Sequence, residues 1–167
     1  GEPIRKTSEA VIDFAKAIPL GPFKLGVVCF GNTVGGLLRS TDDFAKIERC
    51  AKGLVDKFKG CPVGGGTNNP LPSLVNGLFS DGCDQKIAVF LTDGDWSSRS
   101  NPLMDAQNAW NSGIDTIGVG FGDANEEFLR SISSVKDLSG LTDLGHLSES
   151  FSTIAREIGT GGGLVSR

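Results

Sequence analysis

A chain of 167 residues with 38% hydrophobic and 22% charged side chains has the size and balance of one domain around a single buried core. Its formal net charge of -4 and pI near 5.0 repel nucleic acid and anionic membrane surfaces, and no Lys/Arg cluster offsets that repulsion, which leaves proteins and small ions as partners. No apolar run approaches the ~20 residues that cross a bilayer, and the opening Gly1-Glu2-Pro3 does not read as a leader.

From Pro3 to Ile18 the apolar residues Ile4, Val11, Phe14, Ala15 and Ile18 recur at helical spacing, with Pro3 suited to a first turn. Phe23 to Phe30 is short and apolar, as a strand buried on both faces reads, and Val34 to Arg39 follows closely enough to be its antiparallel hairpin partner at a sheet edge. Thr41 before Asp42 and Asp43 starts a helix whose stripe is Phe44, Ile47, Ala51, Leu54, Val55 and Phe58. After the Gly-rich Gly60 to Thr67, Asn69-Pro70 opens a helix with Leu71, Leu74, Val75 and Leu78. Lys86 to Leu91 is the most strand-like run in the chain and leads into Thr92-Asp93-Gly94-Asp95. A helix from Asn101-Pro102 through Trp110 precedes a strand from Ile114 to Phe121. Asp123 with Glu126 then reads as a capping box for a helix to Ser133. A short strand near Leu138 to Leu141 and a helix from about Ser148 to Ile158 complete a domain over residues 1–158, leaving 159–167 as a Gly-rich tail.

The alternation predicts an α/β fold, a mostly parallel, doubly wound sheet with helices on both faces. In such sheets ligands bind beyond the carboxyl ends of the strands. Gly64-Gly65-Gly66-Thr67 and Thr92-Asp93-Gly94-Asp95 both fall there. A hydroxyl and a carboxylate converging at one place suit a hard divalent cation such as Mg²⁺. Local pattern alone leaves Thr67 equally a helix cap, Asp93 a turn former beside Gly94, and Asn68-Asn69 either a water-orienting pair or the start of a helix. Trp96 reads equally as an exposed partner anchor or as packing for the next helix. His146, the sole histidine, has no metal-ligating neighbour and is assigned no role. Cys29, Cys50, Cys61 and Cys83 form no CxxC pair and read as reduced thilos of a cytoplasmic protein. The Gly-rich loop lacks the Lys-Ser/Thr ending of a phosphate-binding loop.

The succession of an amphipathic helix, FKLGVVCFGN, a helix, GGGTNN, a helix, KIAVFLTDGD and IDTIGVGFG resembles the von Willebrand factor A family over nearly the whole chain. The resemblance implies a Rossmann-like sheet and a metal-ion-dependent adhesion site, formed by Asp-x-Ser-x-Ser after the first strand, a Thr in the second loop and an Asp in the third. Thr67 matches the second position and Asp93 the third. Gly1-Glu2-Pro3-Ile4 is similar to the residues that directly follow the Asp-x-Ser-x-Ser motif in intracellular bacterial members, including those associated with tellurite resistance; the motif itself is absent from this sequence. Because the family's first strand is central, the resemblance implies a gap, filled by a strand outside these residues or supplied by a partner chain rather than by Gly163 to Arg167 folding back. With Thr67 and Asp93 alone, Mg²⁺ has one charged protein ligand and negligible affinity is expected. A completed site would leave one position open for an acidic residue of a protein partner.

Two other readings compete with this non-enzymatic, Mg²⁺-linked interaction module. One is a metal-independent structural module assembled by strand complementation. The other is a phosphatase, because Asp93-Gly94-Asp95-Trp96-Ser97 resembles the nucleophile loop of the haloacid dehalogenase family, although that loop follows the first strand there and Asp93 lies past the middle of this chain.

Overall fold

The period-two alternation of Lys86–Thr92 decides the architecture. In the computed structural model, which describes residues 1–31, 33–57, 69–79, 82–94, 96 and 101–161, this strand, β3 (Lys86–Thr92), pairs in parallel with β4 (Ile114–Gly120) from Lys86↔Ile114 to Thr92↔Gly120 without a register shift. Successive side chains leave a strand on opposite faces. Ile87, Val89 and Leu91 therefore pack into one apolar cluster, and Ala88 and Phe90 into another. Both clusters need a cover. Phe14 and Ile18 of α1 (Glu2–Ala17) and Phe151, Ile154 and Ile158 of α7 (Leu147–Gly159) close the first, together with Ile117 and Val119 of β4. Leu71 of α4 (Leu71–Ser73) and Ala106 and Ala109 of α5 (Pro102–Asn111) close the second. The α/β fold with helices on both faces of a parallel sheet is as the sequence predicts.

β4 also pairs in parallel with β5 (Gly140–Leu141), so it has neighbours on both edges, and all seven of its residues are buried. β1 (Leu25–Phe30) and β2 (Val34–Thr41) form a separate antiparallel hairpin, closed at Phe30↔Val34 and slipped in register near Val27. No described pairing joins β1 to β3, and the sheet is in two parts, β1-β2 and β3-β4-β5. The expectation that Phe23 to Phe30 is buried on both faces is corrected here: only Cys29 is buried and Val28 is exposed, since among the described residues β1 is paired along one edge alone.

Several helix ends also differ from the sequence reading. Asp43, not Thr41, caps α2 (Phe44–Lys52), its carboxylate accepting from the N–H groups of Ala45 and Lys46, and Gly53 separates α2 from α3 (Leu54–Lys57). The helix opened by Asn69-Pro70 gives way after α4 to a wider turn over Leu74–Leu78, broken where Gly77 takes φ 110°. α6 (Glu126–Ser131) is capped by Asn125 rather than Asp123, with Asn125 Oδ1 accepting from Phe128 N–H at 3.0 Å. A single 3-10 turn over Lys136–Leu138 occupies the start of the expected last strand.

Close approach of α6 to β4 depends on glycine. A Cβ at Gly120 would lie 2.6 Å from Ala124 Cβ and 2.6 Å from Leu129 Cδ1. Gly120→Ala should therefore cost about 1–3 kcal/mol by overpacking, measured by urea unfolding; a change under ~0.5 kcal/mol, the range of neutral surface substitutions, would show that α6 can yield.

At the start of α7, both carboxylate oxygens of Asp143 lie within 2.9 Å of His146 Nδ1, and Oδ1 also accepts the His146 N–H. The pair is solvent-exposed. The Asp143 hydrogen bond, then its charge, raises the His146 pKa above 6.5, and the same bond lowers that of Asp143. The His146 contribution to stability is thus fully present below its ordinary value and is lost as pH rises through the raised one, while that of Asp143 is lost as pH falls through its lowered value. An NMR titration of His146 should give a midpoint above 6.5 that returns toward that value in Asp143→Asn; identical midpoints in the two proteins would show that the pair does not form in solution.

Candidate functional site

Asp93 is where β3 ends, and its position follows from the strand's apolar run stopping at Thr92. Thr92 is buried; its Oγ1 donates to the Gly94 carbonyl at 3.0 Å and accepts from the Gly94 N–H at 3.4 Å, which turns the chain sharply. Asp93, between them, is exposed. The next loop docks onto the same turn, with Phe121 N–H donating to the Thr92 carbonyl at 3.1 Å. Gly122, at φ 64°, sits so close that a Cβ there would be 4.0 Å from Asp93 Cβ. The left-handed conformation at Gly122 is one that a side chain would strain. Two loops at the carboxyl ends of β3 and β4 thus meet at Asp93, as expected for a ligand crevice in such a sheet.

Thr67, the other predicted ligand, lies outside the described residues, as do Asn68, Asp95 and Cys61. Among the described residues no group of three or more His, Cys, Asp or Glu side chains is arranged to hold a metal ion. The described donor set at the end of β3 is a single exposed carboxylate, which fits one corner of an oxygen-ligand octahedron and no more.

Asn69 resolves the question that its sequence leaves open. Its Oδ1 accepts from Leu71 N–H at 3.0 Å, starting α4, and its Nδ2 donates to Asp105 Oδ2 on α5 at 2.6 Å. The residue is buried and ties the chain entering α4 to α5. The sequence reading missed Asp105 as its partner; the only signal was an acid in the first turn of α5.

Trp96 is not an exposed anchor. Only 6% of it is accessible, and its ring stands edge-on to Phe30 of β1 at 5.6 Å, Phe90 of β3 at 5.4 Å and Phe128 of α6 at 5.3 Å. Its indole N–H has no hydrogen-bond acceptor. The largest apolar contact between the β1-β2 hairpin and the β3 loop is therefore aromatic and carries an unsatisfied donor, a feature sequence pattern does not reveal.

A cavity of about 290 Å³ opens elsewhere, between β5 and α7, lined by Leu138, Leu141, Glu149 and Ile154 among others. It includes neither Asp93 nor Trp96. His146 likewise lies at the α7 terminus and serves to start that helix. Cys29, Cys50 and Cys83 form no disulfide, and no described helix is long and apolar enough to cross a membrane.

The sequence profile of the von Willebrand factor type A domain matches residues 64–153, just over half of the chain. No curated protein matches it. Among solved structures, proximal thread matrix protein 1 from the mussel byssus, with a zinc-occupied MIDAS motif, superposes with a TM-score of 0.78 at 17% identity over 94% of this chain and 43% of that one. An aerotolerance-related membrane protein from Bacteroides fragilis gives 0.73 at 13% identity, covering 94% and 88%. Manganese-loaded TRAP protein from Plasmodium vivax gives 0.65 at 16%, covering 88% and 63%. At such identities the likeness is one of fold, and the chain spans less than half the length of the mussel protein.

Proposed function

The chain belongs to the von Willebrand factor type A domain family, whose members are protein-interaction and adhesion modules, and on that premise we propose that it binds a protein partner through a Mg²⁺ ion held by Thr67 and Asp93. The ion is completed by an Asp-x-Ser-x-Ser strand absent from these residues, and its open position takes an acidic side chain of the partner. No chemical step is required of the domain. A cytoplasmic setting of the tellurite-associated type belongs to the same proposal and is consistent with Cys29, Cys50 and Cys83 remaining thiols.

The observation that carries this reading is the exposed carboxylate of Asp93 at the carboxyl end of β3, with the Gly122 loop held against it. Mg²⁺ favours oxygen ligands in near-octahedral array and keeps several waters, so one carboxylate with one hydroxyl is half of a site. The two-part sheet supports the rest, because a strand seated between β1 and β3 would end beside Asp93 and bring its loop to the ion. The same two-part sheet also suits the competing reading of metal-independent assembly by strand addition.

Calorimetric titration separates these readings. Mg²⁺ should bind the 167-residue chain more weakly than ~1 mM; micromolar binding by this polypeptide would overturn the proposal. With an Asp-x-Ser-x-Ser strand joined ahead of Gly1, binding should appear and fall at least about tenfold in Asp93→Ala, the least expected for losing a direct ligand. Partner capture that survives both EDTA and that substitution would favour the metal-independent module.

A further inference from the structure

β1 and β3 each carry one unpaired backbone edge among the described residues, while both faces of the space between them already have apolar side chains. On one face Leu25 of β1 and Ile87, Val89 and Leu91 of β3 share the cluster covered by α1 and α7. On the other, Phe30 of β1 and Phe90 of β3 both stand against Trp96. The exposure of β3 agrees: five of its seven residues are only half-buried, whereas β4, paired on both edges, is buried throughout. Facing rows of unpaired N–H and C=O groups between apolar layers are a template for one more strand.

The indole of Trp96 adds an independent signal at the same place. It is 6% exposed and spans from β1 to β3, yet its N–H meets no acceptor. A buried donor without a partner loses its hydration and gains nothing in return, and native structures rarely tolerate it.

We infer that an extended apolar segment of the same polypeptide, joined to the start of α1 and running parallel to β1, fills this space and supplies an acceptor to Trp96 Nε1–H. Trp96 is then a positioning residue: it fixes the register of the inserted strand, and so the height at which the strand's end meets Asp93. α1 is the crossover helix that a parallel pair requires, as α5 is between β3 and β4. An insertion displaced by one residue would exchange the two faces of the strand, which makes a fixed donor at one point useful. This rests on the proposed site, whose missing ligands the same segment brings.

The test compares the 167-residue chain with the same chain carrying Val-Ile-Val-Leu-Asp-Gly-Ser-Gly-Ser ahead of Gly1, by amide and indole NMR, the two indoles being assigned with Trp110→Phe. In the extended chain the amides of β1 and β3 should become protected, and Trp96 Nε1–H should shift downfield and exchange at least about tenfold more slowly, the effect of one buried hydrogen bond. Trp110 Nε1–H, which already donates to Thr116 Oγ1 at 2.8 Å, should change less than about twofold, since its bond is the same in both chains. Protection of both edges with Trp96 unchanged would overturn the role of Trp96 while leaving the proposed site standing. Absence of protection at either edge would overturn both, and protection by the free peptide but not by the fused one would overturn the assignment to the same polypeptide.

Discussion

Everything in this domain hangs on β4. It pairs with β3 over its whole length and with β5 at its carboxyl end, and none of its residues reaches solvent. A strand in that position must be apolar toward both faces, and the helices must then come to both: α1 and α7 on one side, α4 and α5 on the other. Side-chain volume is rationed accordingly. Gly118 and Gly120 leave room for Leu129 and Ser133, and the Ser133 hydroxyl donates to the Leu129 carbonyl at 2.6 Å while accepting from Gly118 N–H at 2.9 Å. The hydroxyls of Thr116 and Ser134 perform similar work at the other end of the strand, where Trp110 is also held.

The polar loops are consequences of that core. Because β3 and β4 are parallel and in register, their carboxyl ends coincide, and the turns that follow them are pressed together: Thr92 binds Phe121, and Gly122 lies against Asp93. Asp93 is thereby fixed in place while remaining exposed. A fixed, exposed carboxylate at the mouth of an α/β sheet is suited to binding a cation that is shared with another molecule, since little reorganisation is needed when the partner arrives.

The regular part of this architecture was legible in the residues. Period-two and period-3.6 patterns located every long element within two residues or so, as for Lys86–Thr92 and Pro102–Asn111. Errors fell where neighbouring caps compete. Thr41, Asp42 and Asp43 are all good caps, and the hydrogen bonds of Asp43 decided it; Asn125 displaced Asp123 for the same reason. Gly77 ended a helix that its apolar spacing continues. At the site, Asp93 was visible because a strand's end is visible. Trp96 was not, because its neighbours Phe30 and Phe128 are remote in sequence and nothing local distinguishes a buried indole from an exposed one. Likewise, the burial of β1 depends on what pairs with its edges, which its own apolar run cannot encode.

The open edge of β3 is most directly examined by amide hydrogen exchange along that strand in the 167-residue chain. Alternate amides of β3, those turned away from β4, should exchange at least about tenfold faster than the amides of β4, because they have no partner strand. Uniform protection of β3 equal to that of β4 would mean that the edge is already paired within these residues, and would contradict a site completed by an inserted strand.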